Sequence, residues 1–156
     1  ALVQMFRDAD WGELDYMIVD LPPGTGDIHL SLVQSVPLSG VIVVSTPQPV
    51  ALADAIKAVN MFRLQAINVP VLGLIENMAY FSPPDKPDKK YYLFGKEGVK
   101  RLAIEFGIPL LAEIPLIEDI REGGDIGKPA VLAETSIQGK VFMGLVEEVQ
   151  HNIIQR

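Results

Sequence analysis

Short apolar runs alternate along this chain with longer segments in which apolar residues recur every three or four positions. The first period marks buried strands and the second marks amphipathic helices. Leu2–Arg7 reads as the tail of a helix, and Tyr16–Asp20 as a first strand. Ile28–Val36 reads as a helix stopped by Pro37, followed by a second buried strand over Gly40–Ser45. Pro49 suits the first turn of a helix, where its missing N–H costs nothing. That helix runs to about Gln65 and carries Leu52, Ile56, Val59 and Phe62 at helical spacing. Val69–Glu76 is a third strand, and Lys96–Phe106 a helix ended by Gly107, a residue suited to the C-cap. Leu110–Ile114 gives a fourth, short strand and Ser136–Ile154 a final amphipathic helix. Repeated strand, helix, strand order implies right-handed crossovers and a mostly parallel sheet with flanking helices, an α/β fold. The polar, proline-rich stretch Ser82–Lys90 reads as an exposed loop inserted within one domain.

Composition narrows the reading. The apolar fraction of 49% in 156 residues suits a largely buried parallel sheet in one domain. A net charge of −7 gives no overall attraction to nucleic acid or anionic lipid, so neither is expected as a partner. The one loose basic cluster is Lys86, Lys89, Lys90, Lys96, Lys100 and Arg101, diluted by Asp85, Asp88 and Glu97. With no cysteine, the chain builds neither a disulfide framework nor a thiolate metal site. The longest apolar stretch, Val41–Val44, is far short of the ~20 residues of a membrane span, and a cytoplasmic location is expected. The first residue is not methionine and falls in a helical-looking segment, which suggests a piece of a longer protein.

The densest candidate chemistry lies in Asp15–Asp27, where an apolar run ends in an acid and a Pro/Gly loop follows. An acid at the carboxyl end of a strand lies where open α/β sheets bind ligands. Asp20 there suits Mg²⁺ held through water, since Mg²⁺ keeps several waters and takes only one or two carboxylates. Gly24 and Gly26 let the backbone approach an anion and donate N–H groups to it, and Pro22 and Pro23 stiffen the entry. The plainer alternative is a strand-to-helix turn with Asp27 as the helix N-cap. Asn77 and Pro115 follow two later strands and so fall on the same sheet edge as Asp20 and Thr46. A side-chain amide there can pair with a purine edge, with Pro115-Leu116-Ile117 as the facing wall, or can serve only as a turn residue. His29 and His151 lack a second ligand at helical spacing, so neither reads as a zinc site; His29 is expected to face solvent or cap local backbone.

Several long motifs carry a resemblance. Asp15–Asp27, Val36–Gln48, Ala51–Phe62 and Gly73–Met78, together with Ile114-Pro115 and Ile120–Pro129, closely resemble the Mrp/ApbC family in the same order. Those proteins are P-loop ATPases that act as iron–sulfur cluster carriers, relatives of MinD and ParA. The resemblance implies a SIMIBI-like P-loop NTPase fold with seven or eight strands in the full domain. Residues 1–156 would form the C-terminal portion of that one domain, lacking its N-terminal part. It assigns Asp20 to support of Mg²⁺ and the Gly24 region to sensing of the γ-phosphate of ATP. Asn77, Met78, Pro115, Leu116 and Ile117 fall to contact with adenine, and Asp54 to a helix acid near the nucleotide or dimer face. It further implies a homodimer, with iron–sulfur acceptor or scaffold proteins as partners.

Two departures limit it. The family's lysine loop would lie upstream of Ala1, and phosphate binding loses its main donors without it. This chain alone is therefore expected neither to bind ATP well nor to hydrolyse it. The family's Cys-Pro-x-Cys pair would fall in Ala79–Pro84, which reads Ala-Tyr-Phe-Ser-Pro-Pro; Ser82 and Pro83 cannot replace thiolates for a cluster. Three classes follow: an ATPase half-domain of a cluster carrier, a MinD/ParA-like positioning switch, and a non-catalytic interaction module. With the early strands absent, an unpaired sheet edge and a partly bare apolar face are expected.

Overall fold

The computed structural model describes residues 2–22, 24 and 26–154. Three strands form one parallel sheet in the order β1 (Val41–Ser45), β2 (Val71–Glu76), β3 (Leu110–Glu113). The register aligns Ser45 with Glu76 and Glu76 with Glu113, so the three carboxyl ends finish level.

Helices cover both faces of the sheet. α1 (Leu2–Asp8) and α2 (Asp27–Ser35) precede it; α3 (Pro49–Arg63) packs on β1 and α4 (Gly98–Phe106) on β2. On that face Val41, Val43 and Leu74 meet Val59 and Phe62 of α3 and Val99, Leu102 and Ala103 of α4, with Leu52 and Ile56 packed against them. α5 (Glu118–Asp125) and α6 (Ile137–Ile154), with a short 3₁₀ turn over Ala130–Leu132 between them, serve the opposite face. There Ile75, Leu111 and Ile114 pack with Ile120, Val141, Phe142, Leu145 and Val149. Successive strand residues point to opposite faces, which is why Leu74 and Ile75 enter different clusters.

The glycines are placed by contact as well as by backbone. A Cβ on Gly73 would collide with Leu111 Cγ, so glycine lets β2 and β3 pack this closely. Gly107 ends α4 in the left-handed conformation, at φ 61, and its N–H closes the last turn on Ala103 and Ile104.

Three sequence expectations are corrected. Tyr16–Asp20 is not a strand: it joins no ladder, and Ile18 is 94% exposed. A strand exists only through the backbone bonds of a neighbour, and among the described residues none lies beside this run. β1 is half-buried rather than buried on both faces, because among the described residues no helix covers Ile42 and Val44. α2 begins one residue earlier than expected, with Gly26 as its N-cap, so Asp27 is the first helical residue rather than the cap. The Asp27 side chain, Pro23 and Thr25 lie outside the described residues. α5 and the 3₁₀ turn had no counterpart in the periodicity, since the glycines and acids of Glu118–Asp125 carry almost no apolar pattern.

Candidate functional site

The level ends of β1 and β2 open into a cleft of about 540 Å³. Gly24, Ser45, Thr46, Asp54, Lys57 and Asn77 are among its lining residues. Thr46 donates its hydroxyl to the Gln48 side chain at 2.9 Å, fixing the short turn between β1 and α3. Asn77 follows β2 directly, and its N–H continues the ladder to the Ser45 carbonyl at 2.8 Å. Its Oδ1 accepts the N–H of Met78 at 3.0 Å, so the side chain stabilises a turn in which Met78 takes a φ of 53. With Oδ1 engaged, the amide NH₂ remains as the donor that Asn77 offers the cleft. The turn role and the ligand role are compatible, because they use different atoms.

Gly24 enters the same cleft at a φ of 101, a conformation that L side chains rarely adopt, and its missing Cβ would meet nothing within 4 Å. The loop can therefore present bare backbone to a ligand. It is tied down by His29, which is 5% exposed and bonds Pro22 O through Nε2 at 2.9 Å. A carbonyl only accepts, so Nε2 carries the proton. His29 is thus a buried brace for the loop and does not face solvent.

Asp20 is exposed, lies outside the sheet, and is not among the residues lining this cleft. The expected strand-end position beside Asn77 and Thr46 is not the one it holds, for the reason already given for Tyr16–Asp20. Asp54 and Lys57 pair at 3.0 Å one helical turn apart, both well exposed, an ion pair worth at most about 1 kcal/mol.

The second predicted wall forms its own recess. Leu116 and Ile117 line a space of about 290 Å³ with Phe81, Glu118 and Arg121, while Pro115 is buried beneath. Met78, 37% exposed, stands in the turn after Asn77. Backbone bonds link the two spaces: Ala79 N–H to Ile114 O at 2.9 Å, and Leu116 N–H to Tyr80 O at 2.7 Å. Asn77 and Gly24 thus share one cleft, and Leu116 and Ile117 line a neighbouring one.

Glu76 is the residue that sequence reasoning passed over. It is fully buried, and its Oε2 accepts the N–H of Val99 at 2.7 Å and of Lys100 at 3.4 Å. Those are orphan amides in the first turn of α4, whose own N-cap, Glu97, makes no side-chain cap bond. Oε1 has no partner. Burial pushes the carboxyl above its ordinary value; the two N–H bonds oppose this, and the charges of Glu113 and Glu97 add to it. The available signal was an acid closing an apolar strand upstream of a helix with no Ser, Thr, Asp or Asn at its N-cap.

A parallel sheet sandwiched by helices, with a polar cleft at the carboxyl ends of its strands, is the architecture of a nucleotide-binding α/β protein. The chain belongs to the ParA family, described as NUBPL iron-transfer P-loop NTPases, whose model matches residues 1–150. An iron–sulfur cluster carrier protein of Synechocystis is 46% identical over 94% of this chain and 41% of its own length. The mouse iron–sulfur cluster transfer protein NUBPL is 45% identical over 96% of this chain and 46% of its own. A nucleotide-binding protein of Archaeoglobus fulgidus, solved in complex with ADP, superimposes with a TM-score of 0.70 at 39% identity. That match covers 81% of this chain and 53% of the other. The chain thus spans less than half the length of these two curated relatives. Among the described residues no helix is long and apolar enough to cross a membrane, and no group of three His, Cys, Asp or Glu is placed to hold a metal.

Proposed function

We propose that this chain is the base-side and phosphate-sensing portion of one P-loop ATPase domain, in a cytoplasmic, homodimeric protein that handles iron–sulfur clusters. The observation that carries the reading is the meeting of Gly24 and Asn77 in one cleft at the sheet's carboxyl edge. Gly24 presents backbone without a side chain, which suits the terminal phosphate of ATP. Asn77 offers an amide donor suited to a purine nitrogen, with Leu116 and Ile117 as an adjoining apolar wall. Lys57 is the one cation among the described residues that line the cleft, and Asp54 neutralises it. The cleft therefore grips a triphosphate weakly by itself, which fits a chain that shares its site with a separate lysine loop.

Asp20, exposed and outside the cleft's described lining, is the carboxylate that would hold Mg²⁺ through water where the nucleotide's phosphates reach it. Mg²⁺ would supply charge neutralisation for the phosphates. An iron–sulfur cluster does not fit the residues of this chain, which include no thiol. The cluster is cargo in this reading, and its ligands belong elsewhere.

Calorimetric titration with ADP and with Mg·ATP tests the reading in the full protein, with the 156-residue chain alongside. Binding to the full protein that Gly24→Ala and Asn77→Asp each weaken supports it. Full affinity in both variants would place the nucleotide elsewhere and overturn it.

A further inference from the structure

Residues 80–101 carry six cations and three acids in a chain whose net charge is −7, so positive charge is gathered in one segment. An antiparallel bridge between Phe81 and Tyr91 closes its base, with backbone bonds of 2.8 Å in both directions. The base is anchored to the core by the bond from Leu116 to Tyr80. Residues 84–93 are all exposed.

Lys100 pairs with Glu97 at 3.8 Å, whereas three other lysines of the segment lie against tyrosine rings. Lys90 lies 3.9 Å from the ring centroid of Tyr80, Lys96 5.2 Å from that of Tyr92, and Lys89 5.0 Å from that of Tyr91. None of the three makes an ion pair among the described residues, although Asp85, Asp88 and Glu97 are near in sequence. A ring holds an ammonium by its quadrupole without cancelling its charge. Alternation about the bridge places Tyr80, Lys90 and Tyr92 on one face, opposite Phe81 and Tyr91. Two lysine–tyrosine pairs thus stand together, with their charges available and their stems ordered.

We propose that this Tyr80–Lys96 hairpin is a docking surface for an acidic polypeptide segment of a partner protein. Charge complementarity selects the occupant. Carboxylates can reach the ring-held ammonium groups, while the rest of this acidic chain repels a partner that approaches elsewhere. A nucleic acid is disfavoured because the rings are already covered by lysines and are not free to stack bases. The inference is independent of the nucleotide reading, since none of the hairpin's lysines or tyrosines lines the Gly24–Asn77 cleft or the Leu116 recess.

The test uses the full protein and a fluorescein-labelled glutamate-rich peptide, read by anisotropy at low salt and again at physiological salt. A single-stranded oligonucleotide and phosphatidylserine vesicles are run in parallel. Saturable peptide binding, weakened roughly tenfold or more by combined Lys89→Glu, Lys90→Glu and Lys96→Glu, is the expected result. These positions are exposed, so the triple variant should melt with the parent, and a melting scan checks this. The proposal is overturned by no peptide binding at low salt, by equal binding to the reversed variant, or by tighter binding of the oligonucleotide or the vesicles.

Discussion

The carboxylate of Glu76, at the last position of β2, accepts the backbone N–H of Val99 at 2.7 Å and so caps a helix from 23 residues away. Most N-caps are local Ser, Thr, Asp or Asn side chains. Here Glu97 occupies the cap position in the left-handed conformation, at φ 55, and leaves the task to the strand. Removal of the carboxylate by Glu76→Ala leaves two amides without their acceptor and is expected to cost about 1–3 kcal/mol in urea unfolding. Glu76→Gln retains an acceptor oxygen and should cost less. An alanine variant as stable as the parent would show that the cap contributes nothing.

The same residue sets a pH dependence whose sign follows from its burial. A carboxyl raised above its ordinary value of 4.5 binds protons more readily in the folded chain than in the unfolded one. Its contribution is complete below pH 4.5 and declines as pH rises through the raised value. The stability difference between the parent and Glu76→Gln should therefore fall with rising pH across that window. Denaturant midpoints at a series of pH values measure it, and a difference that grows with pH would contradict the assignment.

Gly98 opens α4 against the turn between β1 and α3. A Cβ there would stand 2.6 Å from Pro47 O and 2.9 Å from Leu52 Cδ1. Main chain cannot yield as a flexible side chain does, so Gly98→Ala should destabilise by about 1–3 kcal/mol. Gly107→Ala provides the contrast, with nothing within 4 Å but a φ of +61, and a cost of about 1–2 kcal/mol from backbone strain alone. Crystal structures of both variants discriminate the causes: the first should shift α4 relative to Pro47, and the second should leave it in place. An unshifted α4 in Gly98→Ala would argue against the contact.

Asn77 uses one atom for its turn and another for the cleft, so substitution can divide the two roles. Asn77→Asp keeps an acceptor for the Met78 N–H and loses the amide donor. It should melt close to the parent and bind purine nucleotide on the order of tenfold more weakly, as when one hydrogen-bond donor to the ligand is lost. Titration with ADP in the full protein reads this out. Unchanged affinity would leave Asn77 as a turn residue only.

Helices and buried strands were legible where periodicity is a local property. The stripe of α3 at Leu52, Ile56, Val59 and Phe62, the stop at Gly107 and the packing of Val141, Leu145 and Val149 on the sheet all follow from it. Tyr16–Asp20 shows the limit: its apolar residues describe what a strand needs, but a strand is a relation between two segments. Asp20 was misplaced with it. Glu76 was invisible for a related reason, because its partners Val99 and Lys100 contribute only backbone amides, which leave no residue signature. The cleft positions of Gly24 and Asn77 were legible through the motifs, whereas α5 was hidden by a sequence of glycines and charges.

The link from the Asn77 cleft to the Leu116 recess runs through main-chain bonds alone: Ser45 to Asn77, Glu76 to Ile114, Ile114 to Ala79, and Tyr80 to Leu116. Such a frame is blind to side-chain identity. Substitution can rewrite the chemistry mounted on it without moving the mounting points, so side chains such as Ser82 and Pro83 can be exchanged at little architectural expense. The strand ends behave as a socket whose fitting can be exchanged while the frame around it stays fixed.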